Sequence, residues 1–367
     1  MSNLAVNEFI PDYVSSPGET LLEALEERGM SQAELAERTG RHKKTINEII
    51  KGKAALTPET ALQLEHVLGI PARFWNNREQ QYRETLAKLQ EHTHLESQVD
   101  WLKTFPVTKM VQLGWIPKCD NKVEQLESLL NFFGIASAEQ WQSFWESRLT
   151  VAFRKSESHV SEPGDLTGWL RQGEIEAEKI PCAPYQQKKF KEALNQVRLL
   201  TVESPEIFQP QVVELCASAG VAVVFVPQLP KTRASGATHW VHKDKALIQL
   251  SLRYKMDDHL WFSFFHEAAH ILLHQKREMF LEFSGKQEKS SLEIEADLFA
   301  ADFLIPPAQL EKFLSHHGFK LSKVAIQQFA SNLGIAPGIV VGRLQHEGRL
   351  PMKNCNGLKR RLEWAID

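Results

Sequence analysis

Two histidines four residues apart, His266 and His270, flank Glu267 in the run FFHEAAHILLH, residues 264–274. On a helix, residues at this spacing share a face, so both imidazoles can present a ring nitrogen to one cation. Zinc takes such nitrogens at roughly 2.0–2.1 Å, and a catalytic site adds a third protein ligand and keeps a position for water. Glu267 projects beside that face, where a carboxylate can take the water's proton. The competing reading is a core helix with incidental histidines, and a third ligand separates the two. Downstream, SLEIEADLFAADFLIP (291–306) reads as a second helix closed by Pro306, with Glu293 and Asp297 one turn apart on one face. Glu293 is expected as the third ligand, and Asp297 is expected to orient a ligand histidine through its other ring nitrogen. Glu295 leaves that helix about 200° around from Glu293. It is expected to face solvent and to tolerate substitution, and it is the alternative carboxylate ligand. His274, one turn past His270, is read as structural or as support to a ligand, because three ligands already suffice.

These groups need a scaffold. Between His270 and Glu293, residues 271–292 leave room for the first helix to end and the chain to reverse. Just upstream, VAVVFVP (221–227) is a short β-branched run expected as a buried strand, and GATHWVHKDKALIQLS (236–251) alternates around a turn at Lys243-Asp244, as a hairpin does. One strand of this hairpin is expected to accept an extended peptide by edge pairing. His239, His242 and Tyr254 are candidates to donate a hydrogen bond to an oxyanion, by nearness in sequence alone. Residues 74 to about 215 read as mainly helical, with tryptophans 101, 115, 141, 145 and 169 expected in the core. RKSESHVSEPGD (154–165) reads as an exposed loop or linker.

Near the N-terminus a different chemistry is written. Ser31 and Glu34 have the spacing of a capping box, Gly40 and Gly52 stand where helices end, and Thr57-Pro58-Glu59 has the form of a helix start. Between Arg38 and Lys53 six basic residues face a single acid, Glu48, for a local charge of +5 in a chain whose net charge is −3. Two short helices joined by a glycine turn, the second of them basic, suit the major groove of DNA. The alternative is a solvated lysine-rich face.

Length and composition bound the rest. A chain of 367 residues suggests two or three domains. No apolar run reaches the roughly 18 residues a membrane helix needs, no secretory signal opens the sequence, and the four scattered cysteines form no CxxC pair. A reduced, cytoplasmic setting without membrane contact is expected.

Residues 18–80 resemble the Cro/C1-type (XRE) helix-turn-helix family and, within it, HigA-like antitoxins. The resemblance rests on Ser31-Gln32-x-Glu34-Leu35-Ala36, Gly40, Thr45-Ile46, Ile49-Ile50-x-Gly52-Lys53, Ala61, Leu64, Leu68-Gly69 and Phe74-Trp75. It implies a five-helix lambda-repressor-like domain with phosphate contact by Gln32 and base contact by Lys43, Lys44 and Asn47. His42 departs from the small hydroxyl residue usual at the cap of the recognition helix. Residues of about 200–345 resemble the ImmA/IrrE family of zinc metallo-endopeptidases, through His266-Glu267-x-x-His270-x-x-Leu273-His274, Glu293-x-x-Ala296-Asp297-x-Phe299-Ala300-Ala301-x-x-Leu304-Ile305-Pro306, Ser235-Gly236 and the run from Trp261 to Phe265. Ile305 stands where methionine is frequent. This resemblance implies an α+β zincin-like domain, His266, His270 and Glu293 as zinc ligands, Glu267 as general base, and a protein substrate such as a repressor or toxin.

The expected architecture is mainly α with a small β-sheet. It comprises a DNA-binding domain over 15–80, a helical middle region over 81–200, a peptidase domain over 201–345 and a C-terminal tail over 346–367. Double-stranded DNA, a protein or peptide substrate and a second copy of the chain are the expected partners. Two rival readings remain. In one, an antitoxin or repressor uses its zinc domain as a sensor or scaffold. In the other, a protease uses its N-terminal helices only to bind protein.

Overall fold

The computed structural model describes residues 15–146, 148, 162–274, 279–283, 290–318 and 321–364. The chain divides into two compact units, Met1–Val99 and Asp100–Asp367.

In the first unit, α1 (Pro17–Glu27), α2 (Gln32–Thr39), α3 (Lys43–Ile50), α4 (Pro58–Leu68) and α5 (Ala72–Gln98) are the five expected helices. Leu21, Leu25, Leu35, Ile46, Leu64 and Trp75 close their common core. Gly40 ends α2 in the left-handed region, at φ 68°, which a glycine adopts without a Cβ penalty. The capping box is not where the sequence suggests it. Ser31 does accept from the Glu34 N–H, but the Glu34 carboxylate pairs with Arg38 at 2.6 Å. A reciprocal box forms instead at Ser16 and Glu19, at the head of α1.

In the second unit, α6 (Val107–Gln112), α7 (Lys122–Phe133), the single turn α8 (Ala138–Trp141) and α9 (Pro163–Glu178) precede α10 (Gln187–Leu199) and α11 (Pro205–Ser218). The sheet follows: β1 (Val221–Phe225), β2 (Ala234–His242) and β3 (Lys245–Leu250), then α12 (Asp257–Leu273) and β4 (Phe280–Phe283). Helices α13 (Ser291–Leu304), α14 (Pro307–His317), α15 (Lys323–Leu333) and α16 (Pro337–His346) complete it. The strand order is β1-β3-β2-β4, with β1 parallel to β3 and the other pairs antiparallel.

The sheet is buried on both faces, so its strands are nearly continuous in apolar residues. Val221, Val223, Ile248 and Leu250 join α10–α16 in one core. Ala222, Val224, Ala237 and Leu247 join Phe105, Phe133, Trp141, Trp145 and Trp169 in another. Residues from Phe105 onward therefore share a core with the sheet, whereas α5 runs to Gln98 within the first unit. Residues 154–161 of the expected loop lie outside the described residues. Pro163 to Asp165 do not extend that loop, since they open α9 with Gly164 and Asp165 buried.

One expectation about the hairpin changes. β3 lies between β1 and β2, and β2 between β3 and β4, so neither hairpin strand is an edge. The outer strands among the described residues are β1 and β4. The tail also packs: Asp257 N donates to Arg360 O, Arg360 N donates to Asp257 Oδ1, and Lys359 Nζ pairs with Asp258 Oδ2 at 2.6 Å, pinning the start of α12. No single described helix is long and apolar enough to cross a membrane.

Candidate metal centre

Helix α12 is buried along almost its whole length, with Leu260, Trp261, Phe264, Phe265, Ala268 and Ile271 in the core. The core-helix reading of this segment is thus correct as far as it goes. His266, Glu267 and His270 occupy the remaining stripe, and each is at most 2% exposed. Buried polar groups need partners, and α13 and His274, just past the end of α12, supply those of the histidines.

Glu293, in the first turn of α13, approaches both rings. Its Oε2 lies 3.0 Å from His266 Nε2 and its Oε1 3.5 Å from His270 Nε2, while the two Nε2 atoms are 3.1 Å apart. Four tetrahedral positions around zinc at roughly 2.0–2.1 Å lie about 3.3–3.4 Å from one another. The two Nε2 atoms and the two Glu293 oxygens thus lie at separations close to these, and one ligand atom from each of the three residues can be chosen so that all lie within 4.8 Å of one another. The chemistry of the pocket also suits a cation. Burial alone lowers the His266 pKa, but Asp297 and Glu293 outweigh it and hold His266 well above its ordinary value. The pocket favours positive charge at that point. His266, His270 and Glu293 are the residues that would hold the metal.

Each histidine is gripped from behind. His266 Nδ1 lies 3.0 Å from Asp297 Oδ1. His270 Nδ1 lies 2.7 Å from His274 Nδ1, and the Phe280 ring of β4 stacks on His270 at 4.0 Å and 14°. Glu295 is not a vertex of the cluster and does not simply point away. Its carboxylate is half exposed yet reaches His274 Nε2 at 3.3 Å.

Glu267 lies against the sheet. Both carboxylate oxygens are buried without a hydrogen-bond partner among the described residues. Burial, reinforced by the Glu282 charge against an opposing effect of His266, pushes its pKa well above the usual carboxylate range. The β2 register explains how it fits. Thr238 Oγ1 donates to the Glu267 carbonyl at 3.3 Å, and Gly236, two residues earlier on the same face, leaves the carboxylate its room. His239 points through the opposite face, with Nε2 3.4 Å from Glu174 Oε1 of α9. That removes it as an oxyanion donor at this site. His242 sits at the exposed end of β2 and accepts from the Asp244 N–H. Tyr254 remains, on the wall of a cavity of about 500 Å³ shared with Phe262, Ser263, Glu282, Asp297 and Leu298.

Sequence reasoning missed β4 and its two site-facing residues, Phe280 and Glu282, which pair in register with Thr238 and Gly236. The alternation of FLEF was the available signal. For Gly236 the signal was a glycine inside a strand pattern, which marks close approach.

In the first unit, Ile46 and Ile49 are buried while Lys43 and Lys44 are exposed on the opposite side of α3, with Asn47 half-buried between. Gln32 opens α2 and is half-buried. His42 makes no side-chain cap, in keeping with its departure from the usual hydroxyl residue. The local charge of +5 overstates the field, because Arg38 pairs with Glu34 and Arg41 with Glu59 from outside the counted segment.

Residues 21–75 match the family described as helix-turn-helix, and residues 216–345 the family described as IrrE N-terminal-like domain. The chain carries an XRE-type helix-turn-helix domain followed by an IrrE-like domain. It is 38% identical over 61 residues to YddM, an uncharacterized HTH-type transcriptional regulator of Escherichia coli (strain K12). That match spans 17% of this chain and 65% of the regulator, so just under two thirds of the relative's length is covered. Among solved structures, an addiction module antidote protein of the HigA family from Coxiella burnetii is 28% identical, covering 23% of this chain and 92% of that one, at a TM-score of 0.22. The Pseudomonas aeruginosa antitoxin HigA with the higBA promoter is 27% identical, with 23% and 94% covered, also at 0.22.

Proposed function

We propose that this chain is a cytoplasmic DNA-binding transcriptional regulator whose C-terminal half is a zinc-dependent endopeptidase acting on a regulatory protein. The observation that carries the peptidase is the convergence of His266, His270 and Glu293 beside an unpartnered, buried Glu267, next to an open cavity.

Bound zinc would supply an acidified water and a Lewis acid for a peptide carbonyl. The protein's own groups do the remainder. Glu267 takes a proton on its carboxylate and returns it to the leaving amine. Its burial raises its proton affinity toward what such a shuttle needs. Asp297 holds the His266 ring and Phe280 the His270 ring, so neither ligand has to reorganise. Tyr254, on the cavity wall, is the remaining candidate to donate to an oxyanion. On the DNA side, the exposed Lys43 and Lys44 and the half-buried Asn47 of α3 would contact bases in the major groove, and Gln32 at the start of α2 would contact a phosphate. The substrate expected is a repressor or toxin in a stress or toxin–antitoxin circuit.

The test is comparison of Glu267→Gln with wild type. Proteins that accumulate in cells carrying the variant, and are cut by purified zinc-loaded wild type but not by the variant, are substrates. No cleavage by either protein would favour a metal-holding scaffold, and equal cleavage by both would remove Glu267 as the base.

A further inference from the structure

Glu295 sits outside the cluster, on a half-exposed face, and yet it is joined to the cluster by an unbroken row of ring nitrogens. Its Oε2 lies 3.3 Å from His274 Nε2, and His274 Nδ1 lies 2.7 Å from His270 Nδ1. His270 Nε2 then faces Glu293 and His266. The His274 side chain is only 3% exposed although Glu295 is 56% exposed, so the relay runs from solvent into the core.

The direction of hydrogen bonding along this row is dictated by its outer end. A carboxylate can only accept. His274 must therefore carry its proton on Nε2 to donate to Glu295, which leaves a lone pair on Nδ1. That lone pair can only accept, so His270 carries its proton on Nδ1 and donates inward. His270 Nε2 is then left with the lone pair that a metal ligand requires. The opposite polarity, with His274 Nδ1 donating, would put the His270 proton on Nε2 and block coordination. We infer that Glu295, acting through His274, is a positioning residue that selects the metal-competent tautomer of His270. Asp297 does the same for His266 directly. The two ligand histidines are thus set by two carboxylates from one helix, α13, one in contact and one through a relay.

This inference rests on the proposed metal site and extends it. Glu295→Gln is the discriminating change, because the amide keeps the shape but can donate to His274 as readily as accept, which removes the selection. Glu295→Ala removes the partner altogether. Zinc affinity, measured by competition with a chromogenic chelator, is expected to fall on the order of tenfold in both variants, the lower end of what outer partners of ligands cost. Thermal stability of the metal-free protein should not change, since Glu295 is on the surface. In zinc-loaded wild type, nitrogen-15 NMR of the histidine rings should place the His274 proton on Nε2 and the His270 proton on Nδ1. His274→Phe should cost more affinity than either Glu295 variant, because it leaves the His270 N–H without this acceptor in the core. Wild-type zinc affinity in Glu295→Gln and Glu295→Ala, or a proton on His274 Nδ1, would overturn the relay while leaving the three-ligand site standing. Failure of wild-type protein to bind zinc would instead overturn the site itself.

Discussion

Gly236 of β2 and Glu267 of α12 occupy space that only one of them can fill: a Cβ built on Gly236 would lie 2.5 Å from Glu267 Oε1 and 2.7 Å from its Cγ. The absence of a side chain on the strand thus sets where the proposed base rests. Gly236→Ala is expected to push the Glu267 carboxylate aside without touching His266, His270 or Glu293. Peptidase activity should drop by about 100-fold, the scale of a displacement near 1 Å, while zinc affinity stays within a few-fold of wild type. Parallel loss of metal would show instead that the whole helix had shifted.

One zinc per chain is expected from purified protein by elemental analysis. Removing both nitrogen ligands, in the His266→Ala, His270→Ala double variant, should abolish it. Unchanged metal content in that variant would remove the assignment of the site.

The carboxylates should rank by distance from the cluster. Glu293→Gln replaces an anionic ligand by a poor neutral one, and its effect on zinc affinity should exceed the roughly 10–100-fold that outer partners cost. Asp297→Asn should fall inside that range, because the asparagine amide no longer dictates the His266 tautomer. A mild Glu293 effect beside a severe Glu295 effect would mean that the wrong carboxylate has been assigned to the metal.

On the DNA side, Lys43→Ala with Lys44→Ala should weaken binding. Lys44 pairs with Glu48 at 3.8 Å but remains 84% exposed, so both lysines are available. For every phosphate the variant no longer neutralises, the log–log salt slope should shrink by about 0.9. Where a lysine reads a base instead, its removal should cost roughly 1–3 kcal/mol of discrimination at one base pair. Unaltered affinity across a salt titration would take α3 off the DNA.

Stability should carry a pH signature from Asp257. Burial, aided by the neighbouring Asp258 charge, pushes its carboxyl up to about 6, although the Arg360 and Asp258 N–H groups donate to it and pull the other way. The unfolded group titrates near 3.9. Between about pH 4 and 6 the folded chain holds a proton that the unfolded chain has released, so this group's contribution to stability falls as pH rises and is flat above about 6. The full change is at most about 3 kcal/mol. Asp257→Asn keeps an oxygen for both donors and should lose that decline. Urea midpoints of the metal-stripped proteins at the two ends of this window will check it, and identical slopes in both would refute it.

Much of this was written in residue spacing. The i, i+4 histidines, the following glutamate and the Glu293/Asp297 pair a turn apart are periodic features, and a helix turns them into a shared face whatever surrounds it. The same holds for the glycine-ended helices of residues 18–70 and for the lysines opposite Ile46 and Ile49. Local rules failed where a group had a choice of partners. Glu34 had the spacing of a capping box but took Arg38, because an i+4 arginine was within reach on the same helix face.

What the sequence determined by itself was which groups its spacing brings onto one face: the side chains that could hold a cation, the one that could move a proton, and the helix with the basic face. What only the tertiary structure decided was everything that depends on residues far apart in the chain. It brought β4 alongside β2, so that Phe280 and Glu282 face the site and the hairpin strands are interior. It turned His239 to the far side of the sheet, where a two-residue period opposes it to Thr238. It also laid α13 against α12 so that Glu295 meets His274 rather than water alone. A helical wheel gives the angle of a side chain about its own axis, but whether that angle ends in solvent or on another side chain is set by the neighbouring element.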